Sequence, residues 1–464
     1  MMENRLRWFG HEQGQEGELD YNQLFVTPLF IENPELKYRK LAEMEEKIED
    51  MIYRDPWHFR PHRKSKSGRQ VFESHPYPLP SLSLDYEMKV IAIRECGSVV
   101  CIHFRSDGGG TFSRSGFVME STLSDGEYFN TIFTADCISR DNKNANVVAA
   151  PSDIEISVIL SDGTTCIGEL VGYDLYYNIA AIKMKTQMLI PPLRLKDLDD
   201  SMSIRPNSTD QLYDHRGRFR LYPGDRVAAL GCYSCAQMGF MIVSGIFRTT
   251  PVEFRCENLL HAECIIASAS IGGPLINRYG EVIGINFFSN VFTPFLPINI
   301  VSLWWLNVKK NGHCVIPRLG LNLKNMSLCR PRHLELVLLA FPNTSRGVVV
   351  DEDQLESIEA STKILKSDII IECDGKPVGG TLEFLELIWD KAGESVRLTL
   401  LRPSDGCRLN VTVTVGNVDP SQLNGSVNLI LEEKRVTMGR VFGAEVEYNK
   451  KMAEAEISSV NKNY

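Results

Sequence analysis

Twelve cysteines and nine histidines are the side chains of this 464-residue chain with the widest chemical range, as metal ligands, nucleophiles or bases. The one C-x-x-C, Cys232 to Cys235, has no second pair at zinc-finger distance and does not open a helix after a βα turn, so it reads as structural. His11, His58, His62, His75, His103, His215, His313 and His333 form no ligand pattern, and nothing in the sequence asks for a metal or another cofactor. Ser268 and Ser270 lie close in sequence to His261, the combination of hydroxyl and imidazole that nucleophilic catalysis uses. Because the cysteines scatter from Cys96 to Cys407 without the dense spacing of a secreted disulfide scaffold, a reducing compartment is expected.

The elements that must position these groups follow from periodicity. Asn33 and Pro34 read as an N-cap and first-turn proline, with Leu41, Met44, Ile48 and Met51 following at helical spacing. An irregular, proline-containing connection comes next and carries the basic cluster Arg60, Arg63, Lys64, Lys66 and Arg69. From about residue 89 to 310 the chain turns to short runs rich in Val, Ile, Phe and Thr between Gly and Asp turns. Ser98 to Phe104, Gly116 to Met119, Ile154 to Leu160, Ile179 to Met184, Arg226 to Leu230 and Glu281 to Asn286 are examples, and together they predict an all-β barrel or sandwich. Trp304, Trp305 and Val308 predict a closing helix. Residues 311–417 mix strands at Gly347 to Val350, Asp368 to Cys373, Ser395 to Leu401 and Asn410 to Val415 with one helix, Thr381 to Asp390, which predicts a small α+β domain. Residues 1–88 are then an N-terminal helical extension, and residues 418–464 a polar tail.

Composition narrows the function. With 43% hydrophobic and 23% charged residues the chain has an ordinary globular make-up, and its length calls for two or three domains. A formal net charge of −9 argues against specific nucleic-acid binding, which is held by clustered Lys and Arg. The basic cluster reads as a solvated linker, with a nuclear-import patch as its alternative. Met1 to Gly17 has no apolar core of the signal-peptide kind and no apolar run reaches membrane-spanning length, so an intracellular protein, cytoplasmic or nuclear, is expected.

One stretch carries a specific resemblance. Ser270-Ile271-Gly272-Gly273-Pro274-Leu275, continued by Ile276-Asn277-Arg278-Tyr279-Gly280-Glu281-Val282-Ile283-Gly284-Ile285-Asn286, resembles the nucleophile loop and following hairpin of HtrA-type (Do-like) serine proteases, where the loop reads Gly-Asn-Ser-Gly-Gly-Pro-Leu. Ser98-Val99-Val100, Ser115-Gly116-Phe117-Val118, Leu160-Ser161-Asp162-Gly163, Val171-Gly172-Tyr173-Asp174, Pro223-Gly224-Asp225-Arg226-Val227 and Ser244-Gly245-Ile246 resemble other pieces in the family's order. The resemblance implies a mainly β protein: a trypsin-like double six-stranded β-barrel (PA-clan type) over residues 89–310. Arg318-Leu319-Gly320-Leu321 is similar to the carboxylate-binding loop of HtrA-type PDZ domains, which implies a PDZ-like α+β domain over residues 311–417 that takes protein or peptide C-termini.

The same resemblance removes the catalytic groups. A trypsin-like site needs Ser to attack, His to take its proton, Asp to orient the His and backbone N–H groups to hold the oxyanion. Thr134-Ala135-Asp136-Cys137 puts Cys137 at the base position, and Asn178-Ile179-Ala180-Ala181-Ile182-Lys183 puts neutral Asn178 at the orienting position. A carboxylate-to-amide exchange there lowers a serine protease's rate about ten-thousandfold. Counting back from the loop sets Glu263 at its usual acidic opening, Ile271 at the nucleophile and Ala269 at the oxyanion-loop glycine. The resemblance therefore implies a catalytically inactive pseudoprotease that binds proteins or peptides, as a holdase, a regulator of active relatives in a homo- or hetero-oligomer, or an assembly subunit. The alternative is a serine-type endopeptidase with a relocated site built from Ser268 or Ser270 with His261.

Overall fold

The computed structural model describes residues 6–9 and 16–19 and, from 86 to 417, all but 107–110, 136–153, 205–212, 215, 233–239, 250–255, 257, 290–291 and 352–363. The expected Asn33 helix, the basic cluster, Cys137, Cys235 and the tail from 418 lie outside the described residues. Near the start, β1 (Leu6–Phe9) pairs antiparallel with β2 (Glu16–Leu19). Helix α1 (Tyr86–Glu95) then crosses the expected boundary at residue 88 and buries Met88 and Ala92 in the main core.

Six strands close the first barrel: β3 (Val99–Ser106), β4 (Thr111–Ser124), β5 (Glu127–Ala135), β6 (Ile154–Ile159), β7 (Thr165–Asp174) and β8 (Ile179–Thr186), in the order β3-β4-β5-β8-β7-β6. Alternation drives the closure. Ile102, Val118, Ile132, Ile156, Val158 and Ile182 fill the interior, while alternate residues of β7, from Thr165 to Tyr173, are exposed. A short parallel pair, β9 (Leu198–Asp199) and β10 (Phe219–Arg220), lies in the connection to the second barrel. That barrel consists of β11 (Arg226–Cys232), β12 (Phe240–Arg248), β13 (Leu260–Glu263), β14 (Pro274–Asn277), β15 (Val282–Asn286) and β16 (Thr293–Pro297), closed as β11-β12-β13-β16-β15-β14. The two six-stranded barrels make the fold mainly β and trypsin-like, as the sequence implies.

The expected closing helix is α2 (Ile298–Asn311). It lays Trp304 and Trp305 edge-on against Phe133 of the first barrel, with ring centroids 6.0 and 5.7 Å away. Gly312 ends the helix in the left-handed region, its N–H returning to the Val308 carbonyl.

An α+β module follows. β17 (Pro317–Arg318) leads to β18 (Leu323–Asn325), α3 (Pro331–Ala340), β19 (Val348–Val350), β20 (Ile369–Cys373), β21 (Lys376–Pro377), α4 (Thr381–Ile388), β22 (Ser395–Arg402), β23 (Cys407–Thr414) and β24 (Gly416–Asn417). The sheet runs β18-β19-β20-β22-β23 with β21 on β20, and β24 pairs with β17. The sequence reading allows this segment one helix; the structure has two. In α3 the residues Leu334, Leu336, Val337, Leu338 and Leu339 are apolar nearly all round, so no 3.6-residue stripe marks it, and only Val337 is fully buried.

Candidate functional site

Residues 268–273 form a tight loop that the first barrel clamps. Ser268–Ser270 is a single 3₁₀ turn, in which the Ser270 N–H donates to the Ala267 carbonyl at 2.9 Å. Two bonds then tie the glycines to β15: Gly272 N–H to the Asn286 carbonyl and Asn286 N–H to the Gly273 carbonyl, both 2.9 Å. Ser115, fully buried on β4, makes the cross-barrel attachment. Its N–H donates to the Ile271 carbonyl at 2.9 Å, and its hydroxyl donates to the Ala269 carbonyl at 2.7 Å while accepting the Cys232 N–H at 2.8 Å. Thr134 completes the clamp by donating its hydroxyl to the Ser115 carbonyl at 2.7 Å. The backbone of the loop is thus fixed from both barrels.

Its described side chains are apolar or turned inward. Ile271 is 6% exposed and belongs to the main hydrophobic core. Ala269 is half-buried. Ser270 is 1% exposed, packs against the backbone of Gly231, and points its hydroxyl at the Met241 sulfur 3.7 Å away. The side chain of Ser268 lies outside the described atoms.

His261 sits elsewhere. On β13 it is opposite Arg248 of β12 and Pro294 of β16, with its ring 5.1 Å from that of Phe292. Burial lowers its pKa below the ordinary histidine value, so the imidazole is neutral at pH 7. Ser270 adjoins β12 at Met241 and His261 adjoins it at Arg248, seven residues further on, which is about 23 Å of strand. The structure therefore does not bring these two residues together, and the Ser270 hydroxyl is already engaged.

Asn178 closes the turn between β7 and β8. It is buried, with φ of 54°, a left-handed conformation that Asn tolerates better than most residues. Asp174 holds the turn's entrance by accepting the Tyr177 N–H at 2.7 Å. Burial pushes the Asp174 carboxyl up to about 6, against the Tyr177 and Tyr176 N–H groups that pull it down. Since the folded pKa lies above the unfolded one, this carboxyl favours folding most below pH 4, and that contribution is lost as pH rises through 6. Asp174→Asn is expected to gain stability relative to the native chain over that window, by at most about 3 kcal/mol above pH 7, in urea denaturation run from pH 4 to 8.

The module contributes a separate cleft. Arg318, Leu319, Leu321 and Leu323 line one side and Thr381, Leu385 and Ile388 of α4 the other, around a cavity of about 60 Å³. Gly320 takes a φ of 69° at the tip of the loop, which spares an L side chain the left-handed region there. β18 is the terminal strand of its sheet, so its outer edge faces this cleft unpaired within the sheet. Leu382 and Trp389 are buried; Trp389 stacks on Tyr177 of the first barrel, with centroids 6.5 Å apart.

Sequence reasoning gave no sign of how α4 is held. Asp200, in the connection between the barrels, accepts the Thr381 hydroxyl at 2.6 Å, the Asn325 amide at 2.8 Å and the Leu382 N–H at 3.2 Å, capping the helix from outside the module. Arg218, from the same connection, reaches Glu383 and Glu386. Tyr176 and Asn258 of the barrels also line the cleft, so it is a composite of module and barrels. Among the described residues no group of three or more His, Cys, Asp or Glu is placed to hold a metal ion, and no helix is long and apolar enough to cross a membrane.

Known proteins are similar to this chain. A model of the trypsin-like peptidase domain matches residues 114–285. The Arabidopsis thaliana protein named Putative protease Do-like 14 is 25% identical over 406 residues, which cover 80% of this chain and 87% of that protein. Serine protease Do-like HtrB of Bacillus subtilis is 25% identical over 296 residues, 59% of this chain and 60% of its own length. Among solved structures, one described as HtrA-type protease AlgW with tripeptide is similar over 71% of this chain and 97% of its own, at 19% identity and a TM-score of 0.46. With its two closed barrels and its peptidase-domain match, the chain carries a trypsin-like peptidase fold and is similar to Do-like serine proteases.

Proposed function

We propose that this chain is a catalytically inactive HtrA-like protein that holds protein or peptide C-termini, serving as a holdase, a regulator of active relatives or an assembly subunit. The observation that carries this reading is Ile271. The nucleophile position holds a side chain with no nucleophilic atom, sunk into the core, on a loop whose backbone is otherwise kept in place. Neutral Asn178 at the orienting position and Cys137 at the base position add to it, because neither an amide nor a thiol beside a carboxylate supports a serine's proton transfer near neutral pH.

The binding half rests on the module's cleft, which we read as the groove of a PDZ-like domain over residues 311–417. An extended peptide adds as a strand along the open edge of β18, its carboxylate meeting the N–H groups of Leu319, Gly320 and Leu321 with Arg318 lending positive charge. Its last side chain enters the apolar space between Leu321 and Leu385.

The test combines chemistry and binding. The full chain is expected to show no labelling by a fluorophosphonate probe and no cleavage of fluorescent casein. It is expected to bind a library of free-acid decapeptides at least tenfold better than the C-terminally amidated library, a difference diminished in Arg318→Glu. Labelling and cleavage that disappear in Ser268→Ala/Ser270→Ala would make the relocated endopeptidase the better reading. Equal binding of acid and amide peptides would remove C-terminal recognition.

A further inference from the structure

Cys101 and Cys232 belong to different barrels, yet one residue brings them together. Cys101 on β3 is directly opposite Ser115 on β4, and residues paired across an antiparallel ladder project their side chains from the same face. The Ser115 hydroxyl leaves that face to accept the N–H of Cys232, 2.8 Å away at the end of β11. The Cys101 side chain follows it and hydrogen-bonds the Cys232 thiol. Both cysteines are reduced in this structure; Cys101 is fully buried and Cys232 half-buried.

Cys232 differs from Cys264 and Cys314. Burial pushes Cys264 up to about 11 and Cys314 up to about 12, so neither forms appreciable thiolate near neutral pH. The hydrogen bond from Cys101 instead holds Cys232 below its ordinary value, against the opposing effect of burial.

We propose that Cys101 and Cys232 are a redox pair, joined by peroxide into a disulfide that fastens the first barrel to the second beside the 268–273 loop. The half-buried partner reacts first. The Cys232 thiolate attacks one oxygen of hydrogen peroxide, the O–O bond breaks, and the departing hydroxide takes up the proton lost by the thiol to leave as water. Cys101 sulfur then attacks the sulfenic sulfur of Cys232, forming the S–S bond and expelling the hydroxyl, which leaves as a second water with the Cys101 proton. Each sulfur is oxidised by one electron and the peroxide is reduced by two. The competing product is the C-x-x-C disulfide, Cys232 to Cys235.

Peptide mapping distinguishes them. The reduced full chain is exposed to hydrogen peroxide, blocked with N-ethylmaleimide and digested with chymotrypsin, which cuts after Tyr233 and so separates Cys232 from Cys235. A Cys101–Cys232 linked peptide is expected in the native chain and in Cys235→Ala, and none in Cys101→Ala. Oxidation is also expected to raise the melting temperature by about 5 °C or more, because the bond closes a long loop in the unfolded chain, and Cys101→Ala should lose that shift. The proposal fails if Cys232 is found linked to Cys235 with Cys101 still a thiol. It fails equally if both sulfurs stay reduced at a peroxide dose that oxidises the exposed Cys407.

Discussion

Gly272→Ala is expected to destabilise the chain by about 4 kcal/mol or more, although it adds only one methyl group. Gly272 has a φ of 82°, where an L residue carries a penalty of about 1–2 kcal/mol. The larger effect is steric. A Cβ there would overlap the Thr134 hydroxyl and lie 2.5 Å from the Ser115 carbonyl oxygen and 2.6 Å from the Ala135 nitrogen, two of them backbone atoms that cannot rotate away. Relief requires the barrels to part at this point, which stretches the Ser115 N–H to Ile271 bond and the bonds of the Ser115 hydroxyl. Buried groups deprived of partners add about 1–3 kcal/mol each. The check is the midpoint of chemical denaturation, with Gly126→Ala as a control: that glycine also has positive φ, at 82°, but open space around its Cβ position, so it should show only the smaller conformational penalty.

The contrast between Gly272 and its neighbours shows what a sequence can disclose. Ser-Ile-Gly-Gly-Pro-Leu identifies the loop because its glycines and proline answer local backbone demands, and the strand runs around it are legible because alternation is local as well. Ser115 is different. Its bonds reach Cys232 and Ala269, 117 and 154 residues away, and no pattern near residue 115 announces them. Asp200 capping α4 across 181 residues is hidden in the same way, as is the approach of Cys101 to Cys232. Helix α1 escaped for a milder reason: Met88, Ile91 and Ala92 keep helical spacing, but they stand where composition marks the end of an irregular linker. The candidate site divides likewise, since Asn178 and Ile271 can be set against a family motif from the sequence alone, whereas the burial of Ile271 and the distance between Ser270 and His261 exist only in the folded chain.

Arg218→Met should have the second large effect, by loosening the module from the barrels. The Arg218 side chain is 8% exposed and donates to Asp214 at 2.7 Å, Glu383 at 3.4 Å and Glu386 at 3.4 Å. Asp214 and Glu383 are nearly buried and Glu386 is partly so, which leaves three carboxylates with little water to solvate them once the guanidinium is gone, Glu383 keeping a second cation, the exposed Arg216 at 3.3 Å. Removing one partner of such a buried cluster lowers stability by about 3–5 kcal/mol. Because Glu383 and Glu386 ride on α4, their repulsion from Asp214 pushes that helix away from the connection between the barrels, against the hold of Asp200 on its first turn. One wall of the cleft then moves, so the peptide binding proposed for it should weaken along with stability. Neutralising the acids separates charge from packing: Arg218→Met combined with Glu383→Gln and Glu386→Gln should recover more than half of the loss, since the unpaired charges rather than the missing attraction dominate it. If the triple variant is no more stable than Arg218→Met in equilibrium denaturation, the residue acts through packing of its aliphatic stem instead, and the docking of α4 rests on Asp200 and the stacking of Trp389 on Tyr177.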